Sequence, residues 1–381
     1  MDKAPDIIRV LIVDDSAIYR NMLRNILTNR KKIEVIGTAN HGGIAVEKTK
    51  QYRPDLIIMD MEMPVMNGSD AIREIRKDNS DVKILVYSGQ SRASIQSTIS
   101  ILDCGVVDFL MKPDGTASGI DETKKIISDA LIPKIYQLFY LDVSDYEDDF
   151  KENSDVFSEK NEIKKIKVTK GIQKKTDSGD QNLHLRLRPD IIVIASSTGG
   201  PGALEHIFSD IGGDDCVPIL IVQHMPVGFT KIFAERLNGL SHFNIKEATH
   251  DEIVKNGTVY IAPGDYHMEV RRNASDGHMK IQLHQKEKLH YVRPAADYLF
   301  ASVSKLYHDK CYGMVLTGMG DDGAAGAVCV KESGGHILIQ SEASAVVWGM
   351  AGATYRNGSW DQMGDLDFCK DVLKSFIGKI P

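Results

Sequence analysis

The second half of this chain is organised around DIIVIASSTGGPGAL, residues 190–204. Residues 191–195 are apolar and rich in β-branched side chains, which predicts a buried strand. Two serines, a threonine and Gly-Gly-Pro-Gly follow, and a helix is expected from Ala203 onward. Glycines let a ligand approach the backbone, and the N–H groups of a helix start can receive an anion. A serine nucleophile is typically mounted on such a turn, but the hydroxyls could equally serve as a plain helix cap.

Composition restricts the class of protein. The 381 residues predict two or three domains. The 42% hydrophobic and 26% charged content is ordinary for a globular chain, and the net charge of −7 argues against nucleic acid as the main partner. No apolar run approaches the ~20 residues of a membrane span, and the N-terminus has acids and a proline where a signal peptide needs an apolar core. Five cysteines without a C-x-x-C pair predict reduced thiols in a cytoplasmic protein.

The first 130 residues alternate between strand and helix patterns. Five strands are predicted, at residues 9–13, 33–39, 56–59, 82–87 and 109–111. Helical segments separate them, and the one after Ser16 carries apolar residues at helical spacing. Five strands joined by helices predict a doubly wound, flavodoxin-like (βα)5 parallel sheet.

Polar residues follow the carboxyl ends of four of these strands. The residues in question are Asp14, Asp15, Asp60, Ser88 and Lys112. The carboxyl ends of parallel strands share one edge, so these side chains should converge in one crevice. Three carboxylates repel one another unless a cation binds, and hard oxygen ligands suit Mg²⁺. A lysine and a hydroxyl would complete a phosphoryl-binding site.

The motifs VDDS, MDMEMPVMNG, YSG and FLMKP make residues 6–130 similar to a response-regulator receiver domain. The resemblance implies that Asp60 accepts the phosphoryl group, and that Mg²⁺ is held by Asp14, Asp15, Asp60 and the backbone carbonyl of Glu62. It also implies that Ser88 is the switch hydroxyl and that Lys112 contacts the phosphoryl oxygens.

Residues 131–188 have the composition of a flexible charged linker. An acidic run at 145–149 is followed by a mostly basic segment at 160–175 with little apolar periodicity. Such a segment buries too little apolar surface to offset the entropy of ordering it. The last receiver helix is expected to extend into this range through Ile135 and Leu138.

Strands and helices alternate again in residues 189–381. Further strands are predicted at 217–222, 258–262, 312–317 and 336–340, with a hairpin of 266–271 and 279–284 around Asp276-Gly277. The pattern indicates a doubly wound, mainly parallel α/β domain with an added antiparallel hairpin.

Three of these strand ends carry Ser196 and Ser197, His224, and Asp321 and Asp322. A serine hydroxyl needs a base to become a nucleophile, and the imidazole needs a carboxylate to orient it. Converging strand ends could supply all three groups. Taken singly, His224 could be an ordinary loop histidine and Asp322 a helix cap.

Gly318, Gly320 and Gly323 form a G-x-G-x-x-G pattern, with Glu342 about 20 residues on, so a dinucleotide-binding turn is an alternative. The two carboxylates Asp321 and Asp322 at the helix start would repel a pyrophosphate, which argues against that alternative.

The motifs IASSTGGPGAL, VQHMP, IAPGDYH, RPAAD and LTGMGDDGAAG resemble the catalytic domain of the chemotaxis receptor methylesterase (CheB) family, across nearly all of residues 189–375. The resemblance implies Ser197 as nucleophile, His224 as general base, Asp322 as orienting acid, and the amides of Thr198 and Met319 as oxyanion donors. The sequence departs from the family pattern at Ala195, Ser196 and Ala351.

The resemblance implies a phosphorylation-activated enzyme that hydrolyses glutamate γ-methyl esters of chemoreceptors and also deamidates receptor glutamines. Mg²⁺ would bind at the receiver only, and a chemotaxis histidine kinase would be the phosphodonor. The unphosphorylated receiver would cover the active site. An alternative of another class is a receiver joined to a non-catalytic binding module in which Ser197 and His224 are structural.

Overall fold

A computed structural model describes residues 5–28, 30–79, 81–89, 91–113, 119–139, 179–213 and 215–378 of the chain. Two separate parallel sheets organise it, one of five strands and one of seven, with a two-stranded antiparallel sheet beside them. Each large sheet has helices on both faces, as the alternating patterns predict. Among the described residues, no helix has both the length and the apolar character to cross a membrane.

The five-stranded sheet has the order β2-β1-β3-β4-β5 with every pair parallel, which confirms the predicted flavodoxin-like arrangement. Its strands are β1 Ile8–Val13, β2 Ile33–Ala39, β3 Leu56–Asp60, β4 Lys83–Ser88 and β5 Val106–Met111. Its helices are α1 Ala17–Thr28, α2 Gly42–Tyr52, α3 Gly68–Asp78, α4 Arg92–Ile99 and α5 Ile120–Leu138. β5 begins three residues before the predicted start, because Asp108 interrupts the apolar run from which it was predicted.

The seven-stranded sheet has the order β14-β13-β12-β6-β7-β9-β8, again with every pair parallel. Its strands are β6 Ile191–Ser196, β7 Ile219–Gln223, β8 Asn244–Glu247, β9 Thr258–Ile261, β12 Cys311–Val315, β13 His336–Gln340 and β14 Gln362–Gly364. The hairpin of β10 His267–Arg272 and β11 Met279–His284 stands apart, as expected. The sequence pattern missed β8 and β14, since these short edge strands carry no apolar run.

The helices of this second domain are α6 Leu183–Arg186, α7 Gly200–Phe208, α8 Phe229–Leu240, α9 Ala296–Tyr307, α10 Ala324–Glu332, α11 Met350–Asn357 and α12 Leu366–Phe376. The neighbours of β6 are β7 and β12, so the chain runs outward from β6 in both directions. A reversal of this kind opens a crevice at the carboxyl ends of the strands, which is where ligands bind in such sheets.

The proposed linker is only partly described. Helix α5 continues past residue 130 to Leu138, as expected, and buries Ile135 and Leu138. At the other end, Gly179 forms a bridge to Gln362, and His184 packs edge-on against Phe368. These segments are therefore parts of the two folded domains, although composition assigns residues 131–188 to the linker. Residues 140–178, which include both charged runs, lie outside the described residues.

The two domains are in direct contact through β5 and α4 of the first and α7 and α8 of the second. The rings of Phe109 and Phe229 stack with their centroids 4.6 Å apart and their planes 5° apart. Both rings are buried in a hydrophobic cluster that continues from one domain into the other. This interface lies at the carboxyl edge of the second sheet, beside the predicted active-site residues.

Candidate active site

The predicted nucleophile lies in the turn between β6 and α7. Residues 191–196 are completely buried, and Ser197 beyond them is 8% exposed. The Ser197 amide donates to the Thr317 carbonyl at 3.0 Å, which ties this turn to the loop after β12. Gly199 has a φ of 76° and lies so close to Val346 that no β-carbon could be added. The sharp turn therefore needs glycine at this position.

His224 and Asp322 form the central polar pair of the site. His224 Nε2 lies 2.8 Å from Asp322 Oδ2, and the carboxylate is 1% exposed. Burial would raise the pKa of Asp322, but hydrogen bonds from His224 and from the amides of Ala296 and Asp297 lower it below its ordinary value. Asp322 is therefore an ionised acceptor that orients the imidazole, and it leaves Nδ1 as the ring nitrogen available for proton transfer.

Ser197 makes no side-chain hydrogen bond to any described residue, so a Ser197–His224 hydrogen bond is not formed. Catalytic hydrogen bonds are often long in ligand-free sites and shorten when substrate binds. The backbones of the two residues are nevertheless tied together. Gln223 Nε2 donates to the carbonyls of Ser197 at 3.0 Å and His224 at 3.2 Å.

The serine preceding the predicted nucleophile has a different environment. Ser196 is fully buried, and its hydroxyl donates to Gln223 Oε1 at 2.6 Å. It therefore supports the glutamine and does not face the crevice. The two aspartates differ in the same way, because Asp321 is exposed and pairs with His290. Ser197 and Asp322 therefore differ from their sequence neighbours in burial and in hydrogen-bond partners.

The two predicted oxyanion donors flank Ser197. Gly318, which precedes Met319, lies so close that a β-carbon added to it would be 2.9 Å from Ser197 Cβ. Neither the Thr198 amide nor the Met319 amide donates a hydrogen bond to a described residue. Unpaired N–H groups beside a serine are the donors that a developing oxyanion needs.

The alternative of a dinucleotide-binding turn conflicts with the hydrogen bonding at the start of α10. Asp297 Oδ1 accepts from the amides of Gly323 at 2.9 Å and Gly326 at 2.6 Å. A pyrophosphate would need these same N–H groups. Glu342, the acid that this alternative requires, is only partly buried and makes no side-chain hydrogen bond within the part of the chain that the structure describes.

The predicted phosphorylation site lies at the carboxyl edge of the five-stranded sheet. Lys112 Nζ lies 2.8 Å from Asp14 Oδ2 and 2.7 Å from Asp60 Oδ2. Burial raises the pKa of Asp60 to about 6 and also raises the pKa of Asp14. Burial alone would lower the pKa of Lys112, but its hydrogen bonds to the two acids raise it. The lysine therefore remains a cation between two buried carboxyl groups.

The remaining groups of this site are arranged for a metal and a phosphoryl group. Asp14, Asp15 and Asp60 bring carboxylate oxygens within 4.8 Å of one another, and Glu62 lies two residues beyond Asp60. The buried Ser88 hydroxyl has no hydrogen-bond partner among the described residues. Hard oxygens from acids and a carbonyl fit Mg²⁺, and an unsatisfied buried hydroxyl fits a phosphoryl oxygen.

Sequence reasoning missed the residues that join the two sites. The Gly199 amide donates to the Val107 carbonyl at 3.0 Å. The Thr198 hydroxyl donates to the carboxylate of Asp108, which also pairs with Lys134 of α5. The sequence signal for this contact was Asp108, a charged residue inside the short strand β5. Its partner Thr198 lies 90 residues away, so the sequence could not identify it.

The fold and the sites define a receiver domain in contact with an α/β domain that has the residues of a serine hydrolase. Residues 192–372 match the family described as CheB methylesterase, and residues 10–122 match the response regulator receiver domain. The chain therefore belongs to the CheB methylesterase family.

Curated relatives match this chain over nearly its whole length. A protein-glutamate methylesterase/protein-glutamine glutaminase of Pyrococcus horikoshii is 37% identical over 94% of this chain and 91% of its own length. One of Clostridium acetobutylicum is 36% identical over 97% of this chain and 98% of its own length. The crystal structure of the Thermotoga maritima CheB methylesterase catalytic domain covers 49% of this chain and 99% of that domain, at 38% identity and a TM-score of 0.47.

Proposed function

We propose that Ser197, His224 and Asp322 are the catalytic triad of a phosphorylation-activated protein-glutamate methylesterase that is also a protein-glutamine glutaminase. The activity follows from membership of the family and from the full-length relatives. The observation that supports the triad is the 2.8 Å contact of His224 Nε2 with the buried Asp322, at the sheet edge that bears Ser197. The proposed substrates are glutamate γ-methyl esters and glutamine side chains of cytoplasmic chemoreceptor regions.

Each group has a defined role in this mechanism. Ser197 Oγ attacks the ester carbonyl carbon while its proton passes to His224 Nδ1. The amides of Thr198 and Met319 stabilise the tetrahedral oxyanion. His224 then protonates the leaving methoxide, and methanol departs from the acyl-enzyme. A water molecule, deprotonated by His224, hydrolyses the acyl-enzyme to glutamate and free serine. With glutamine as substrate, ammonia leaves in place of methanol.

The receiver would control this reaction. In the proposal, Asp60 receives a phosphoryl group from a chemotaxis histidine kinase, Lys112 and Ser88 contact its oxygens, and the enzyme acts in the cytoplasm. Asp14, Asp15, Asp60 and the Glu62 carbonyl would hold Mg²⁺, which when bound neutralises the charge that develops on the phosphoryl group. The contacts of β5 with Thr198 and Gly199 support an inactive state in which the receiver covers the active site.

Methanol release from methylated receptor membranes tests the nucleophile. We expect Ser197→Ala to lower the rate by ~10⁴-fold, the usual cost of removing a triad serine. Ser196→Ala is the matched control and should stay within about tenfold of the unmodified chain, because it removes one neutral hydrogen bond. Equal rates for the unmodified chain and Ser197→Ala would remove Ser197 from the mechanism.

A serine-directed fluorophosphonate separates the enzyme from a binding module. We expect it to label the intact chain at Ser197 and to leave Ser197→Ala unlabelled. A non-catalytic module would label in neither case, since an unactivated hydroxyl is a poor nucleophile.

A further inference from the structure

Two buried carboxylates cap each other's helices beside the catalytic pair. Asp322, which precedes α10, accepts from the amides of Ala296 at 2.6 Å and Asp297 at 3.1 Å at the start of α9. Asp297, in the first turn of α9, accepts from the amides of Gly323 and Gly326 at the start of α10. The two acids are 1% and 7% exposed. The position of Asp322 thus depends on Asp297 through a closed set of hydrogen bonds.

A second histidine joins this arrangement. His290 Nε2 lies 2.8 Å from Asp297 Oδ2, and Nδ1 lies 2.8 Å from Asp321 Oδ1. Carboxylates accept hydrogen bonds, so an imidazole that faces one with each nitrogen donates from both and is positively charged. Its hydrogen bonds with Asp297 and Asp321 accordingly raise the pKa of His290 to about 10.

The backbone that presents this histidine is unusual. His290 and the following Tyr291 have φ angles of 52° and 63°, in the left-handed region that residues other than glycine seldom adopt. The turn is closed by a hydrogen bond from the Val292 amide to the Leu289 carbonyl at 3.0 Å. Two successive residues in this region are unfavourable for the backbone, and such strain is concentrated at functional sites.

His290 offsets part of the negative charge of the cluster. Burial raises the pKa of Asp297, while hydrogen bonding lowers the pKa of Asp322. The negative charges of the two neighbouring acids repel each other. His290 supplies a positive charge to both of them. The other ionisable groups that face the cluster are His224 and His267 near Asp322, Arg356 near Asp321 and Cys329 near Asp297.

We propose that Asp297 and His290 are positioning residues of the esterase: Asp297 keeps Asp322 directed at His224, and His290 offsets the negative charge of the two acids so that Asp322 stays ionised. The inference rests on the proposed triad, because it assigns these residues no contact with substrate. Asp297 acts through the capped start of α10 and through its negative charge near His224, and His290 acts through its positive charge. The sequence motif RPAAD, which contains Asp297, gains a physical role from this geometry.

The test is the pH dependence of kcat/KM for methanol release by the intact chain, with Asp297→Asn and His290→Gln as variants. The side-chain oxygen of the introduced asparagine can still accept from the α10 amides, so Asp297→Asn chiefly removes a negative charge. His290→Gln removes a positive charge. Asp297→Asn should make protonation of His224, the proposed base, harder because it removes a nearby negative charge. His290→Gln should make that protonation easier because it removes a nearby positive charge.

We therefore expect the acidic limb of kcat/KM to move down in pH for Asp297→Asn and up for His290→Gln, each by roughly half a pH unit to one unit. We expect kcat to fall roughly 10- to 100-fold in both variants with KM changed less than about threefold, since neither residue contacts substrate. His278→Gln, on the exposed turn of the hairpin, is the matched control and should leave profile and rate unchanged.

Two further measurements separate the possible failures. The thermal unfolding midpoint of each variant shows whether a lost rate reflects lost fold. Folded variants whose limbs stay in place, or move in the same direction, would overturn the inference, because the charges of the pair would then not act on the catalytic base. Asp322→Asn is measured alongside. If Asp322→Asn is inactive but the limbs of Asp297→Asn and His290→Gln do not move, only this inference is overturned. If Asp322→Asn is fully active, the proposed triad is overturned and the inference with it.

Discussion

At the scale of the residue, Gln223 links the turns that carry Ser197 and His224. Its amide nitrogen donates to the carbonyls of both Ser197 and His224, and its oxygen accepts from Ser196. The two carbonyls lie one residue beyond the ends of β6 and β7, where the strand ladder stops and buried acceptors need other donors. One side-chain amide therefore bonds both backbones and sets the spacing of the proposed nucleophile and base.

Asp60 leads to a prediction about stability. Burial raises its pKa to about 6 from an ordinary value of 3.8, so the folded chain binds this proton more tightly than the unfolded chain does. The stabilising contribution is fully present below about pH 4 and is lost as pH rises through 6. Without Mg²⁺, Asp60→Asn should stabilise the intact chain at pH 7.5 by roughly 1–3 kcal/mol.

Thermal unfolding of the two proteins at pH 7.5 and pH 4 measures this difference. The gain from Asp60→Asn should shrink at pH 4, where the folded chain holds Asp60 protonated. Asp121→Asn, a fully exposed acid on α5, provides the control and should change little at either pH. A gain of the same size at both pH values would show that burial of the charge is not its cause.

At the scale of the element, strand β5 touches both functional sites. Lys112 at its carboxyl end pairs with Asp14 and Asp60, while its earlier residues bind the turn after the predicted nucleophile. Val107 accepts from Gly199, and Asp108 binds Thr198. A small shift of this strand would therefore be felt at both sites, because strands are stiff and their side chains are packed on either side.

Asp108 of the receiver accepts a hydrogen bond from Thr198 of the second domain, so removing this acid should partly relieve the inhibition of the enzyme by the receiver. Asp108→Ala should raise the methanol release of the unphosphorylated chain roughly tenfold, since one charge-assisted hydrogen bond is worth ~1.5 kcal/mol. The activity with an aspartyl-phosphate mimic should change much less. Asp121→Ala serves as the matched control. An unchanged basal rate for Asp108→Ala would mean that this hydrogen bond does not hold the domains together.

At the scale of the whole molecule, the two domains share a buried interface at the active-site edge. The hydrophobic cluster runs from the receiver through the Phe109–Phe229 stack into the second domain. Control by phosphorylation then requires that the phosphorylated receiver bind this surface less well than the unphosphorylated receiver. A ligand that interacted equally with both arrangements would shift nothing.

Beryllium trifluoride with Mg²⁺, as an aspartyl-phosphate mimic, should raise the rate of methanol release and open the interface. Hydrogen exchange provides the structural readout, because the Gly199 amide is bonded to the receiver carbonyl of Val107. Peptides covering this turn should exchange faster with the mimic, while peptides covering β13 should not change. The same treatment of Asp60→Asn is the control. Faster catalysis without faster exchange would contradict release of the interface.

Both parallel sheets, most strand positions and the polar residues at the strand ends could be predicted from the sequence alone. These features are local, because apolar runs, glycine turns and helix periodicity are set by neighbours along the chain. The receiver residues Asp14, Asp60 and Lys112 could be placed together, since the carboxyl ends of parallel strands share an edge. The short polar edge strands β8 and β14 could not be found, because pairing alone makes them strands.

Contacts between side chains that are far apart in the sequence could not be predicted and are set by the tertiary structure. It turned Ser196 into the core and left Ser197 beside the crevice, paired His290 with Asp297 and Asp321, and brought Asp108 to Thr198. These contacts depend on strand register, on a strained turn and on domain packing. None of the three is encoded in a local pattern, because each is set by the simultaneous burial of segments that are far apart in the sequence.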